Sequence, residues 1–353
     1  MSGDRSTRFK PRYCVYEVTL ACDARCIHCG STAGRARANE LDLKDALHLF
    51  DDLADLGCES VTLSGGEPLE RPDWPDLVAG VRERGMRAEL ITNGLQVAAQ
   101  ADRIAAAGFF AVTFSVDGPP EVHDRLRGVP GAFERVVAGA AALVDRGVRI
   151  GAATQINRQN LPLLDRIHDL LVEHRFEGWQ VQLTMPHGRA AALVDELCLK
   201  PVDLLPLESA LLAIKSRTDL FVQAADNIGY MGRSEPVLRA GRPGRAAVYG
   251  GCQAGMQVVG LTSDGAVRGC LSMPPSFDEG NIKQRPFTEI WNDPEAFAYN
   301  RGFATADLDQ PCRDCAFAKF CRAGCHSMAV AATGSICSNP YCLHLVQRAG
   351  ESS

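Results

Sequence analysis

The chain has 353 residues, 46% of them apolar and 23% charged, and a formal net charge of −6 at neutral pH. That length suits a barrel-sized unit plus a further module, and the apolar share is enough for a sizeable core. The acidic balance excludes a general nucleic-acid binder, and no apolar run approaches the length needed to cross a membrane.

Residues 1–12 are polar and basic, unlike a signal peptide, so 1–11 reads as a solvated arm. Fourteen cysteines is a high count. With no secretory signal and with tight spacings, metal binding in a reducing cytoplasm is a better reading than disulfides.

The apolar run at 13–20 is expected to be the first strand. It leads into Cys22-Asp-Ala-Arg-Cys26-Ile-His-Cys29, a C-x3-C-x2-C triplet. Three thiolates so close together suit three irons of a four-iron cubane, leaving the fourth iron free. Taken alone, the triplet also suits a zinc knuckle or three core cysteines.

After Cys29, Asn39 to Asp42 form a helix-start signal, and apolar residues recur at helical spacing over 43–56. Residues 60–64 read as a buried strand ending in Gly65-Gly66-Glu67-Pro68. The unit then repeats: helices near 73–84, 97–107, 132–146 and 162–174 alternate with strands at 87–92, 110–116, 148–156 and 179–184. Six strands alternating with helices predict an α/β fold with a parallel sheet and its helices outside. Gly65–Glu67, Asn93 and Asp117 fall at strand C-terminal ends, where barrels of this kind carry their chemistry.

The pattern weakens over 190–250, with one helix expected at 201–217 and a Gly/Pro/Arg-rich linker near 241–244. The last hundred residues differ in character. Ser263-Asp264-Gly265 marks a hairpin between 256–262 and 266–269, bracketed by Cys252 and Cys270. Cys312-x2-Cys315-x5-Cys321-x3-Cys325 follows, then Cys337 and Cys342. The expected organisation is an arm at 1–11, a barrel at 12–190, a bridging region at 191–249, a cysteine-rich domain at 250–345 and a tail at 346–353.

On these motifs the chain resembles the radical S-adenosylmethionine (radical SAM) enzymes, and its end resembles their SPASM module, in which a Gly stands five residues before the second cysteine, as Gly265 does before Cys270. The resemblance implies a partial (β/α)6 TIM-like barrel followed by a SPASM domain. Cys22, Cys26 and Cys29 would hold a [4Fe-4S] cluster whose free iron binds SAM, and one electron would release a 5′-deoxyadenosyl radical. Gly65, Gly66 and Glu67 would contact the SAM amino group, with the glycines allowing close backbone approach. Ser115 and Asp117 would lie near the ribose and carboxylate. Arg127 matches a carboxylate-binding position, with a solvated or helix-capping role as the alternative. Asn93 and Gln155, at strand ends, would face SAM or substrate. His28 would pack on the adenine or lie on the surface.

The module implies two auxiliary iron–sulfur clusters. One would use Cys312, Cys315, Cys321 and Cys342, the last preferred over Cys337 because Asn339-Pro-Tyr-Cys342 resembles the closing motif. The other would use Cys252, Cys270 and Cys325, with an open iron, Cys337 or a non-cysteine group in fourth place. Cys14 and Cys58 read as core residues. Cys198 is a candidate hydrogen donor to a substrate radical, or a buried residue.

SPASM-bearing relatives mostly modify ribosomally made peptides, so the resemblance implies oxidative crosslinking or related C–H chemistry on a peptide. Leu271 stands where sulfatase-type enzymes carry an acidic base, which disfavours formylglycine formation. A reductant such as flavodoxin or ferredoxin is implied, and a separate leader-binding protein is an expected partner because the barrel starts near residue 12. The alternatives are a maturase of a small molecule or haem-type cofactor and, from another class, a non-catalytic iron–sulfur or zinc protein.

Overall fold

The computed structural model describes residues 9–242 and 244–351; the expected arm at 1–11 falls mostly outside the described residues, as does the end of the tail. Seven parallel strands form the barrel wall: β1 Tyr13–Thr19, β2 Ser60–Gly65, β3 Arg87–Thr92, β4 Ala111–Ser115, β5 Ile150–Ile156, β6 Gly178–Leu183 and β7 Phe221–Ala224. They pair in sequence order. The intervening helices are α1 Leu43–Asp55, α2 Trp74–Glu83, α3 Val97–Ala107, α4 Pro120–Arg127, α5 Ala132–Val144 and α6 Leu164–Glu173.

The alternation along each strand explains why the wall curves around a polar hollow. Tyr16, Val18, Val61, Leu63, Leu90, Val112, Phe114, Trp179 and Val181 are fully or almost fully buried against the helices. Their neighbours Thr62, Glu89, Thr113, Ser115, Gln155 and Gln182 point the other way and stay partly accessible. Helix α1 shows the matching logic: Asp42 accepts from the Asp45 amide at 2.8 Å and caps it, and Ala46, Leu49, Phe50 and Leu53 form its buried stripe.

Two elements differ from the sequence expectation. Strand β7 lies in the stretch where the pattern weakens; four residues give too short an alternation to register, yet it pairs along β6 from Gly178↔Phe221 to Val181↔Ala224. Helix α4 begins at Pro120, in a Pro-Pro, charge-rich segment where no element is expected; its prolines sit where the first-turn amides need no partner.

The bridging region is ordered around α7 Val194–Leu197, α8 Leu204–Lys215 and α9 Glu235–Arg239. Arg239 is its knot: the guanidinium pairs with Glu235 at 3.0 Å, donates to the Ala225 carbonyl at 2.8 Å and lies over the Tyr249 ring.

The cysteine-rich domain joins the same sheet. Strand β8 Val258–Leu261 runs parallel to β1, and β9 Ala266–Arg268 and β10 Gly280–Asn281 follow antiparallel, giving ten strands in the order β10-β9-β8-β1-β2-β3-β4-β5-β6-β7. The buried Glu17 of β1 accepts from the Ser263 amide at 3.0 Å, which ties the hairpin turn to the barrel.

Candidate active site

Beyond β1 the chain opens into the loop carrying Cys22, Cys26 and Cys29, and hydrogen bonds from the end of β2, the end of α4 and Arg189 lace that loop down. Gly66 and Glu67 donate to the Thr19 and Ala21 carbonyls, both at 2.7 Å. Arg25 and Ile27 donate to the Arg127 and Leu126 carbonyls at 3.2 and 3.0 Å, so the loop runs along the end of α4. Arg189, beyond β6, donates from its amide to Cys29 at 2.9 Å and from its guanidinium to the Cys26 and Ala33 carbonyls at 2.7 and 2.9 Å.

Burial raises the Cys22 thiol to about 11 and pushes the Cys26 thiol up as well. Metal binding therefore displaces protons from these groups. Two donors stand ready for the resulting negative sulfurs: Asn93 Nδ2 lies 3.8 Å from Cys22 Sγ, and Arg127 Nη1 lies 3.8 Å from Cys26 Sγ. Such N–H groups aimed at sulfur fit thiolate ligands of an iron–sulfur cluster.

Several residues assigned to SAM have other work in the structure. A Cβ on Gly65 would meet the Thr19 carbonyl oxygen at 2.3 Å, and one on Gly66 would meet that of Ala21 at 2.0 Å, so these glycines admit the chain's own backbone. The Glu67 carboxylate is fully buried and accepts from Thr92 Oγ1, the Asn93 amide and the Leu69 amide at 2.8, 2.7 and 3.2 Å. It thereby ties the turn after β2 to the end of β3. Burial raises its pKa to about 7 against the pull of those hydrogen bonds.

Asp117 is also fully buried. It pairs with Arg127 at 2.6 Å, accepts from the Gln155 amide at 2.9 Å and stands 3.1 Å from His28 Nε2. Burial favours its neutral form, but Arg127 and His28 outweigh this and hold it well below the usual carboxylate range. The His28 contact lacks hydrogen-bond geometry, and both ring nitrogens are buried without partners. His28 is only 2% exposed, so it does not take the surface position. Arg127 is neither solvated nor a cap; it lies between Asp117 and Cys26.

Ser115 and Gln155 do line the hollow, half-buried, on neighbouring strands. Asn93 stands at the rim, its Nδ2 held at 2.7 Å by Asp23. Cys198 is only 4% exposed, beside Leu199, whose carbonyl accepts from Tyr341 Oη at 2.7 Å. Cys14 and Cys58 are buried at the opposite, N-terminal end of the wall.

The C-terminal cysteines form two groups. Cys312, Cys315, Cys321 and Cys342 line one cavity together with Met231 and His344. Cys252, Cys270 and Cys325 form the other: burial raises Cys252 to about 12, with the charges of Cys325 and Cys270 adding to it, and raises Cys325 to about 11, with the charge of Cys270 adding to it. Cys337 lines neither the cavity nor this trio; its carbonyl accepts from the Asp309 amide at 3.0 Å.

Tyr230 connects the groups. Its hydroxyl accepts from the Cys325 amide at 2.9 Å, and its carbonyl accepts from Cys342 Sγ at 3.7 Å. Sequence reasoning missed Tyr230 and Arg189. Arg189 had a usable signal, its place just past the end of a strand; Tyr230 had none.

Comparison with known proteins agrees with this architecture. Residues 16–171 match the family model of the radical SAM superfamily, and residues 252–316 match that of an iron–sulfur cluster-binding domain, SPASM. An AdoMet-dependent heme synthase of Methanosarcina barkeri is 31% identical over 95% of this chain and 97% of its own length. A PqqA peptide cyclase of Ruegeria pomeroyi is 29% identical over 92% of this chain and 85% of its own. Among solved structures, Streptococcus suis SuiB bound to its precursor peptide SuiA superposes with a TM-score of 0.73 at 17% identity, over 95% of this chain and 76% of that one. The chain belongs to the radical SAM superfamily: it is a SAM-dependent iron–sulfur enzyme with a C-terminal SPASM domain.

Proposed function

We propose that this enzyme oxidatively modifies a ribosomally made peptide, binding it in the hollow of the barrel. Cys22, Cys26 and Cys29 would hold the cluster, which when bound would supply the electron for reductive cleavage of SAM. The chain's own residues hold that loop, present Asn93 and Arg127 to its sulfurs, and shape the substrate hollow.

One observation carries the peptide reading. The seven barrel strands contain a single basic residue, Arg87, at the N-terminal rim of β3. The wall opposite the cysteine loop carries carboxamides in register, Gln155 beside Gln182 and Gln180 beside Gln223, none of them hydrogen-bonded among the described residues. A neutral, amide-rich wall suits peptide groups and offers no cation to carboxylate arms. The PqqA peptide cyclase relative supports the same reading.

Auxiliary clusters on Cys312, Cys315, Cys321 and Cys342 and on Cys252, Cys270 and Cys325 would take up the remaining electron. A flavodoxin- or ferredoxin-type reductant and a leader-binding partner belong to this proposal. The second reading, a haem-type maturase, is favoured by the near full-length match to a heme synthase.

The test offers the reconstituted enzyme, with SAM and reductant, peptides encoded beside its gene and, separately, iron coproporphyrin III. A peptide product lighter by two hydrogens supports the proposal. Loss of carbon dioxide and hydrogen from the porphyrin, with no peptide product, overturns it in favour of the second reading.

A further inference from the structure

Hydrogen-bond donors meet the sulfurs of the three cysteine groups in different ways. The first loop has Asn93 beside Cys22 and Arg127 beside Cys26, and the four-cysteine group receives a backbone amide, that of Phe317 on Cys315 Sγ at 3.5 Å. The trio has a side-chain hydroxyl: Ser327 Oγ lies 3.1 Å from Cys325 Sγ. Both residues are buried, with 5% of Ser327 and 8% of Cys325 exposed.

The backbone fixes this contact. The Cys325 amide donates to Tyr230 Oη at 2.9 Å, and the Cys325 carbonyl accepts from the Ala329 amide at 2.9 Å, the bond that opens the helix His326–Thr333. Asn339 Nδ2 donates to the same carbonyl at 3.3 Å. Ser327 stands in the first turn of that helix, so its hydroxyl keeps a set position beside the sulfur. While the thiol keeps its proton, either group can donate to the other. Once a metal takes that proton's place, only the hydroxyl donates, and the contact becomes a charge-assisted bond to sulfur. Burial raises the Cys325 and Cys270 thiols, and hydrogen bonding to Ser327 pulls both back toward thiolate. Protein ligands of a cubane sit on different corner irons, farther apart than hydrogen-bond contact. An oxygen this close to Cys325 Sγ is therefore a donor to that sulfur, not a ligand at the missing corner.

We propose that Ser327 is a positioning residue of the cluster held by Cys252, Cys270 and Cys325: its hydroxyl donates to Cys325 Sγ and raises the reduction potential of that cluster. This rests on the assignment of the trio as a cluster site, not on the identity of the substrate. Reduction adds negative charge, and a donor aimed at sulfur stabilises the more negative form more strongly. The bond itself moves no electron and no proton. It makes the trio easier to reduce, which suits the site that takes up the electron left when a substrate radical is oxidised.

The experiment uses the full chain with Cys22, Cys26 and Cys29 changed to Ala, so that only auxiliary clusters remain. Ser327→Ala and Ser327→Thr are compared with this parent by iron and sulfide content, by redox titration followed by EPR, and by ENDOR after exchange into heavy water. Cys252→Ala identifies which signal belongs to the trio. Ser327→Ala should keep the parent's iron, while the trio's reduction equilibrium falls about tenfold, or about 59 mV for one electron. An exchangeable-proton coupling should vanish with it, and the four-cysteine midpoint should stay. Ser327→Thr, which keeps a hydroxyl, should restore both the potential and the coupling. An unshifted trio midpoint in Ser327→Ala overturns the proposal, as do equal shifts at both clusters. Loss of iron in Ser327→Ala also overturns it, because it marks a ligand or a folding role. Iron for one cluster alone in the parent removes the trio's assignment, and the proposal with it.

Discussion

Arg127 and Asp117 form an ion pair at 2.6 Å beneath the cysteine loop, and the same guanidinium reaches Cys26 Sγ at 3.8 Å. The carboxylate therefore acts on the cluster through the arginine it orients. Asp117→Asn leaves a buried cation without its counter-ion, which costs about 3–5 kcal/mol. Denaturant unfolding and iron analysis of Asp117→Asn should show that loss together with depletion of the cluster on Cys22, Cys26 and Cys29. Unchanged stability and iron content would contradict this role.

Glu67 makes stability depend on pH. Its folded pKa is raised from 4.5 to about 7, so the folded state holds a proton that the unfolded chain has released across that interval. Stability from this group is present below about 4.5 and is lost as pH rises through about 7. Glu67→Gln, fixed neutral, should lack this slope. Its stability deficit relative to the natural chain should narrow between pH 5 and pH 8 by up to about 3 kcal/mol. A deficit independent of pH would show that Glu67 titrates normally.

Arg189 straps the cysteine loop from the far side of the barrel through the Cys26 and Ala33 carbonyls. Each bond from a charged donor contributes about 1.5–3 kcal/mol. Arg189→Ala should bind iron normally at first, then lose the SAM-binding cluster faster to a chelator while the auxiliary irons stay. Equal rates of loss at all clusters would refute a local strap.

Tyr230→Phe removes the acceptor of the buried Cys325 amide and leaves its own carbonyl on the Cys342 side unchanged. An orphaned buried donor costs about 1–3 kcal/mol. The EPR signal of the cluster at Cys325 should shift, while that of the four-cysteine cluster should not. Equal shifts in both signals would argue for general loosening.

The barrel was legible because six strands of five to seven residues each show enough alternation to separate helix face from hollow. Strand β7, with four residues, and α4, opened by two prolines, fell below that threshold. The cysteine triplet and the C-terminal run were legible as spacing, which is a local property of the chain. What Asp117, Glu67 and His28 do was not. Their position at strand ends is visible in the sequence, but whether a side chain points into the hollow or under the loop depends on partners up to a hundred residues away, as Arg127 is from Cys26. The bridging region was opaque for the same reason: Arg239 orders it by binding scattered carbonyls, and hydrogen bonding to backbone leaves no pattern of residue types.

The most direct test of the whole account is anaerobic reconstitution of the full chain, with iron and sulfide counted and SAM cleavage to 5′-deoxyadenosine assayed under reduction. Cys22, Cys26 and Cys29 changed together to Ala provide the comparison. The account predicts about eleven to twelve irons, a fall of about four in the triple variant, and complete loss of cleavage there. Zinc in place of iron, or cleavage that survives the triple substitution, would contradict it.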